Sequence, residues 1–567
     1  MSSRTFVCFG AGLLALGAQD PAPGALERCF RPGEESVWVF EADGARIGEH
    51  ASRYLGRDDL AGAPAHHFQG RTRLKVTSLG DVEQRSSADL WTDDAGHAVR
   101  FTQQILLGET YARVELGFAG GRVAAHVVQG PSARDLELQA DPAALVLANN
   151  YVSHIELVLA LLEPGQDVQL PMFSGNTLQG FTYELKAGGP FEYEERGALR
   201  TGQVYEDSLG ERLRFVDGRL LDIEVAAQKL VIRRSDEPVA PFSITPPAIR
   251  EAAARFDGED VRIERGDALI AGRVTKPKGR AGRLPAVLFI SGSGPQDRNG
   301  LSSGLDLGTH EILDRLTSDG FLVLRVDDRG AGESSPLPPG ASYLDLVADA
   351  RACLEFLARR EDVDPARIAL IGHSEGGETA PLLAAETLPV AAVVLLAAPG
   401  RSLLEIVTDQ NRMALEQSGL SGAEFEASLA EVVALLERLC GSEPIDPAEL
   451  PADQRSILGS RAWLQSHARQ DPIAAIRRLR CPVLILQGAK DFQVSLERDA
   501  RALEAALTAA GHPDHELHEF AELDHLFMET PGAKSELADY AKNRPVDAEF
   551  LDVLSGWLRQ RLQPEER

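Results

Sequence analysis

Arg367-Ile368-Ala369-Leu370-Ile371-Gly372-His373-Ser374-Glu375-Gly376-Gly377-Glu378-Thr379-Ala380-Pro381-Leu382-Leu383-Ala384-Ala385 decides the fold. A short apolar run enters a glycine-flanked turn and leaves as a helix-forming segment. Ser374 stands at the tip, with Gly372 and Gly376 two residues to either side. This spacing suits a nucleophile elbow: the turn is strained, and side chains on the flanking residues would clash with the helix. The same pattern recurs at Gly300-Leu301-Ser302-Ser303-Gly304, but no apolar strand runs into it, so that copy reads as loop.

Outward from the elbow, apolar runs alternate with helical stretches. Pro285 to Ile290, Phe321 to Val326, Ala391 to Ala397 and Pro482 to Gln487 read as strands buried on both faces. Glu311 to Thr317 and Tyr343 to Arg359 read as helices between them. Such alternation predicts an α/β fold, a mostly parallel sheet with helices on both faces. Arg401 to Asp471 is a long helical insertion, and Ala423 to Leu439 within it is one helix.

A serine hydroxyl needs a base near neutral pH, and that base needs an acid to hold its tautomer. The chain order in this fold is serine, acid, histidine, each just past the carboxyl end of a strand. Asp491 follows the strand-like Val483-Leu484-Ile485-Leu486 and a glycine turn; Asp499, in the next helix, is a rival. His525 lies in a loop before the last helix. Its rivals are His512, His515 and His518, the last in an alternating strand whose polar face is solvated. The oxyanion needs two backbone N–H donors. Glu375 supplies one; the other falls in Ser291-Gly292-Ser293-Gly294-Pro295, with Ser293 preferred and Gly294 the alternative. Asp297, Arg298, Asp328 and Arg329 read as an ion-pair network that shapes loops. No metal or cofactor is expected.

Five segments together resemble bacterial α/β-hydrolase esterases related to the serine aminopeptidase group. They are Gly292 to Gly300, Asp327 to Ser334, Gly372 to Gly377, Lys490 to Val494 and Asp524 to Phe527. The resemblance covers about residues 260 to 562. It implies a serine carboxylesterase-type activity with Ser374, Asp491 and His525 as triad, and a helical cap at about 401–475. Asp524 departs from the asparagine common there in the family, and a second carboxylate would shift the basicity of the histidine.

The preceding half reads differently. From Glu34 to Arg234 polar and apolar residues alternate in short runs broken by turns, as at Gly120-Gly121 and Asp217-Gly218. An antiparallel β accessory domain over 19–236 follows, curved or sandwiched, with one helical segment around Ala143 to Leu162. His66-His67 would point to opposite faces of a strand, which makes a metal site improbable. A proline-rich linker over 237–250 separates it from the α/β domain at 251–567.

The first 18 residues, with Arg4 before an apolar run to Ala18, read as a signal peptide, so export to the periplasm or beyond is expected. No other stretch approaches a membrane span. The net charge of −28 argues against a nucleic-acid partner. Cys29, Cys353, Cys440 and Cys481 show no metal spacing, though export would permit a Cys440–Cys481 disulfide. The expectation is an exported serine hydrolase of small-molecule esters, its oligomeric state open. Aminopeptidase-like or thioesterase activity on the same residues is the near alternative, with Glu375 or Glu405 gripping an amine. A catalytically inactive ligand-binding protein is the distant one.

Overall fold

A strand buried on both faces must find apolar partners above and below, and the run Val363–His373 does so. Ala369 and Ile371 pack into one cluster, Ile368 and Leu370 into the other, on opposite faces of one sheet. The computed structural model describes residues 25–563, apart from 61, 77–78, 80–81, 130–131, 163–164, 196–197, 217–218, 241, 243, 245–255, 267, 281, 303–304, 339, 387–389, 418–419, 447–448 and 451–456. The signal-peptide reading, most of the linker and the end of the Ser302 copy of the elbow pattern lie outside the described residues. The chain divides into two compact units, one up to residue 250 and one from 251 onwards.

The C-terminal unit is built on an eight-stranded sheet. Its spatial order is Phe256–Arg265, Ala268–Pro277, Leu322–Val326, Leu284–Ile290, Val363–His373, Ala392–Leu396, Val483–Gly488, His515–Phe520. The first pair is an antiparallel hairpin, joined antiparallel to the third strand; every later pair is parallel. Helices Thr309–Ser318, Tyr343–Arg359, Gly376–Ala384, Arg501–Ala509 and Ala548–Leu562 connect or follow these strands. Between Ala392–Leu396 and Val483–Gly488 the chain detours through helices Leu403–Gln417, Gly422–Cys440, Arg461–His467 and Pro472–Ile476. Leu403, Leu439 and Leu464 give this insertion a small core of its own.

The N-terminal unit is one continuous 15-stranded sheet, not a sandwich. From Glu35–Ala42 the strands follow in chain order to Ser132–Gln139 at one edge, and from Leu145–Leu147 at the other edge they return in chain order to Leu230–Ser235. The last strand, Leu230–Ser235, closes onto that first one, with Val37 opposite Ser235. A helix, rather than a second sheet, covers the apolar face: Leu157 enters one core cluster, and Val152, Ile155, Val158 and Leu159 the other. This helix spans Val152–Ala160, shorter than the expected 143–162. Leu145–Leu147 is instead an edge strand parallel to Met172–Ser174, and Asn150, at φ 66°, breaks the chain between strand and helix.

The four cysteines from Cys29 onward are free thiols, so no Cys440–Cys481 bridge forms. No helix among the described residues is long and apolar enough to cross a membrane.

Candidate active site

Three glycines explain how the elbow closes. A Cβ on Gly372 would strike the carbonyl oxygen of Gly376, and one on Gly376 would strike those of Ile290 and Ser291. One on Gly377 would strike the Ala398 side chain. The helix Gly376–Ala384 thereby starts pressed against two strand ends. Ser374 is forced to φ 53°, a left-handed conformation that a serine adopts only under such constraint. Its N–H donates to Leu396 O at 2.9 Å, and its carbonyl accepts from Gly377 N at 2.8 Å. Gly292, just past the neighbouring strand, lies alongside: a Cβ there would be 3.1 Å from Ser374 Cβ. Ser293 and Gly294 follow, both exposed, with Gly294 at φ 86°.

Asp491 and His525 meet. The imidazole Nδ1–H donates to Asp491 Oδ2 at 2.7 Å, with both side chains almost fully buried. The carboxylate is held by three further donors: Gln487 Nε2 on Oδ2 at 3.0 Å, Gln493 N on Oδ1 at 2.7 Å and Val494 N on Oδ1 at 3.0 Å. Donation from Nδ1 leaves Nε2 as the basic nitrogen. His525 is tied to the elbow through His373, whose Nε2–H donates to the His525 carbonyl at 3.0 Å. Burial drives the His373 pKa down to about 3, so it is neutral and serves as a spacer.

Asp524 takes no part in that pair. It is fully buried, accepts from Leu526 N and Met528 N, and binds Arg544 Nη2 at 2.7 Å. Its charge is thus spent on shaping the histidine loop. Asp499 is likewise structural: it takes both Arg401 Nε and Nη2 and caps Ser495 N, anchoring the start of the insertion. His515 bonds Thr508, His512 accepts from Asp514 N, and His518 packs on Phe520. None of the three approaches Asp491.

The charged loops form a network centred on Asp327, which was not among the four residues expected; of those four, Arg298 makes a close ion pair with it. Asp327 is fully buried and accepts from Arg298 Nη2 at 2.7 Å and from Arg298 and Glu333 N–H groups at 2.8 Å. Asp297 caps Asn299 N and Leu301 N, while Arg329 stands 3.9 Å from Asp349. Asp328 accepts from Ser291 Oγ at 2.6 Å, which fixes the loop carrying Gly292, and burial raises its pKa to about 7.

Sequence reasoning missed a second polar cluster beside the nucleophile. His467, on the inserted helix Arg461–His467, donates Nε2–H to Glu378 Oε2 at 3.2 Å. Its ring stacks on Tyr343 at 4.0 Å, and its Nδ1 stands 3.9 Å from Glu375 Oε2. Burial raises the Glu375 pKa to about 7, against the opposing effect of His467 and helped by Glu378. Burial also works against the His467 charge, but the hydrogen bond and charge of Glu378, with Glu375, raise its pKa overall. The signal was weak: a histidine 89 positions from its partner has no spacing rule. Among the described residues no cluster of metal-ligating side chains occurs, and His66 and His67 bond separately to Tyr54 and Asp94, and to Asp58 and Asp89.

The sequence pattern of the alpha/beta hydrolase family matches residues 287–534. The chain is 29% identical over 304 residues to Esterase EstD of Thermotoga maritima, across 53% of this chain and 68% of that one. Among solved structures it is similar to the Pyrococcus furiosus esterase Pf2001, at 16% identity and TM-score 0.37, over 54% of this chain and 92% of that one. It is also similar to EstE1, a thermostable carboxylesterase from a metagenomic library, at 24% identity and TM-score 0.34, over 54% and 90%. Its strand order, its elbow and this pattern match give the C-terminal unit the α/β-hydrolase fold.

Proposed function

We propose that this protein hydrolyses carboxylic esters of small molecules through an acyl-enzyme, with Ser374 as nucleophile, His525 as base and acid, and Asp491 as the group that orients it. The observation that carries this reading is the 2.7 Å Asp491–His525 bond, buried and oriented so that Nε2 is free to take a proton. Ser374 Oγ attacks the ester carbonyl while His525 Nε2 takes its proton, and a C–O bond forms as the carbonyl π pair moves onto oxygen. The N–H groups of Glu375 and Ser293 receive that oxyanion. Collapse breaks the bond to the alcohol, which leaves with the proton from Nε2. Water then attacks the acyl-enzyme by the same route and releases the acid.

The peptidase alternative needs an ionised carboxylate to grip an amine. Glu375 is a poor candidate, because His467 and Glu378 already face it and its pKa is raised to about 7. Glu405 is exposed and bonded to Ser402 N and Oγ. Esters are therefore preferred over aminoacyl amides. The basic, apolar stretch up to Ala18 supports export as the setting for this activity. Matched butyryl ester, butyryl thioester and aminoacyl anilide substrates test the assignment. We expect kcat/KM for the ester to exceed that for the anilide by at least about 10²-fold; the reverse order would support the peptidase.

A further inference from the structure

The helix Val152–Ala160 is buried along almost its whole length, and Glu156 is its one ionisable carboxyl. Glu156, only 10% exposed in its side chain, lines a pocket of the N-terminal unit. Its carboxyl has no close charged partner. Arg234 Nη2 stands 3.8 Å from Oε1, and Ser52 Oγ donates to Oε2 across 3.3 Å. Both exceed the roughly 2.7–2.9 Å of a charge-assisted bond. The indole N–H of Trp38, fully buried beneath the Arg234 guanidinium, faces the same carboxyl and is its other hydrogen-bonding neighbour among the described residues. A carboxyl buried with such loose partners costs more than a leucine would at the same place. Packing alone gives no reason for it.

The rest of the pocket has two characters. Arg31, Arg53 and Arg219 stand exposed at its edge, and Arg234 lies deeper. Their partners are weak: Arg53 reaches Glu35 at 3.4 Å, Arg219 reaches Glu34 at 4.0 Å, and Arg31 has no ion pair among the described residues. In a chain of net charge −28, four arginines around one pocket run against the overall composition. The wall is aromatic: Phe30, Tyr54 and Phe68 pack at centroid distances of 6.1, 5.1 and 5.0 Å.

We propose that this pocket binds a small carboxylic acid with a short apolar body, its carboxylate on Arg234 and the rim arginines and its chain on Phe30, Tyr54 and Phe68. Glu156 then shares a proton with the ligand carboxylate, which answers its lack of a close charged partner. Burial already raises its pKa to about 7, so it carries that proton below neutral pH. Aromatic rings beside a carboxyl also suit an ammonium ion, but four guanidinium groups oppose one. The site belongs to the other unit from Ser374 and does not depend on the ester reading.

Calorimetric titration of the full-length protein with sodium hexanoate, at pH 6 and 0.15 M salt, tests this. One site is expected per chain, with tighter binding at pH 6 than at pH 8. Arg234→Gln should weaken it at least about tenfold. Arg31→Gln with Arg219→Gln, both exposed and safe for folding, should weaken it about fivefold. Neither variant should alter hydrolysis of p-nitrophenyl butyrate. Absent hexanoate binding, affinity unchanged in the rim variant, or tighter binding of hexylammonium or inorganic phosphate would each overturn the proposal.

Discussion

Asp491 shows what a single carboxylate needs in order to orient a histidine. Four donors fill its two oxygens, and two of them are backbone N–H groups of its own loop. Replacing it by Asn keeps the shape and turns an acceptor into a donor against Nδ1–H. We expect Asp491→Asn to lower kcat for p-nitrophenyl butyrate by at least about 10³-fold with KM little changed. Gln487→Leu removes one supporting bond, and a loss of roughly tenfold to 10²-fold in kcat is expected from the misplaced pair. Glu375 gives a pH signature. Its pKa is raised from 4.5 to about 7, so it ionises near neutrality beside the site where an oxyanion forms. The activity of Glu375→Gln relative to the parent should therefore rise as pH passes upward through 7, in a pH–rate profile; a constant ratio would contradict the placement of that charge. Ser374 and Asp491 were legible as candidates because each follows an apolar strand, and His525 because it lies in a loop before the last helix. Gln487, the Asp524–Arg544 bond and the His467–Glu378 bond were not, because they join positions that only the folded sheet brings together.

Elements follow the same division between local and distant causes. The helix Tyr343–Arg359 has the bounds read from the sequence, since its periodicity and its Ser342–Asp345 capping box are local. The N-terminal helix was overextended because Ala143 to Ala148 is as apolar as the helix itself, and only pairing with Met172–Ser174 makes part of it strand. The elbow is the most sterically determined element. A methyl at Gly376 meets two strand-end carbonyls, so Gly376→Ala should lower the Tm of the C-terminal unit by several degrees, about 1–3 kcal/mol of overpacking, and abolish most activity. The inserted helix Arg461–His467 is held by His467 on Glu378 and by Ser466 Oγ, which accepts from Tyr343 N at 2.8 Å. His467 has a raised pKa in the folded chain, so its contribution is complete below 6.5 and is lost as pH rises through the higher folded value. Calorimetric melting should accordingly show His467→Gln less stable than the parent at pH 6, with the gap narrowing towards pH 9. Glu375 adds to the trend with the same sign in the parent: its ionisation is disfavoured on folding, so stability falls as pH rises from 4.5 to about 7.

At the scale of the whole molecule the chain carries two separately organised cores. The C-terminal unit buries its clusters on the two faces of its own sheet, and the N-terminal unit buries its own around the helix Val152–Ala160. A unit with its own core can fold alone. A fragment from residue 256 onwards should thus melt cooperatively and keep p-nitrophenyl butyrate hydrolysis within about threefold of the full chain. The alternation that marks the N-terminal half as β was plain in the sequence. Whether its strands make one sheet or two was not, because alternation sets which residues face inward and leaves open what covers them. The central claim, that Ser374 is the nucleophile, is tested most directly by labelling the full-length protein with a fluorophosphonate and mapping the adduct by mass spectrometry, alongside the Ser374→Ala variant. The account predicts one adduct per chain, on Ser374, with hydrolysis lost in step with labelling and absent from the variant. An adduct elsewhere, or undiminished hydrolysis by Ser374→Ala, would contradict it.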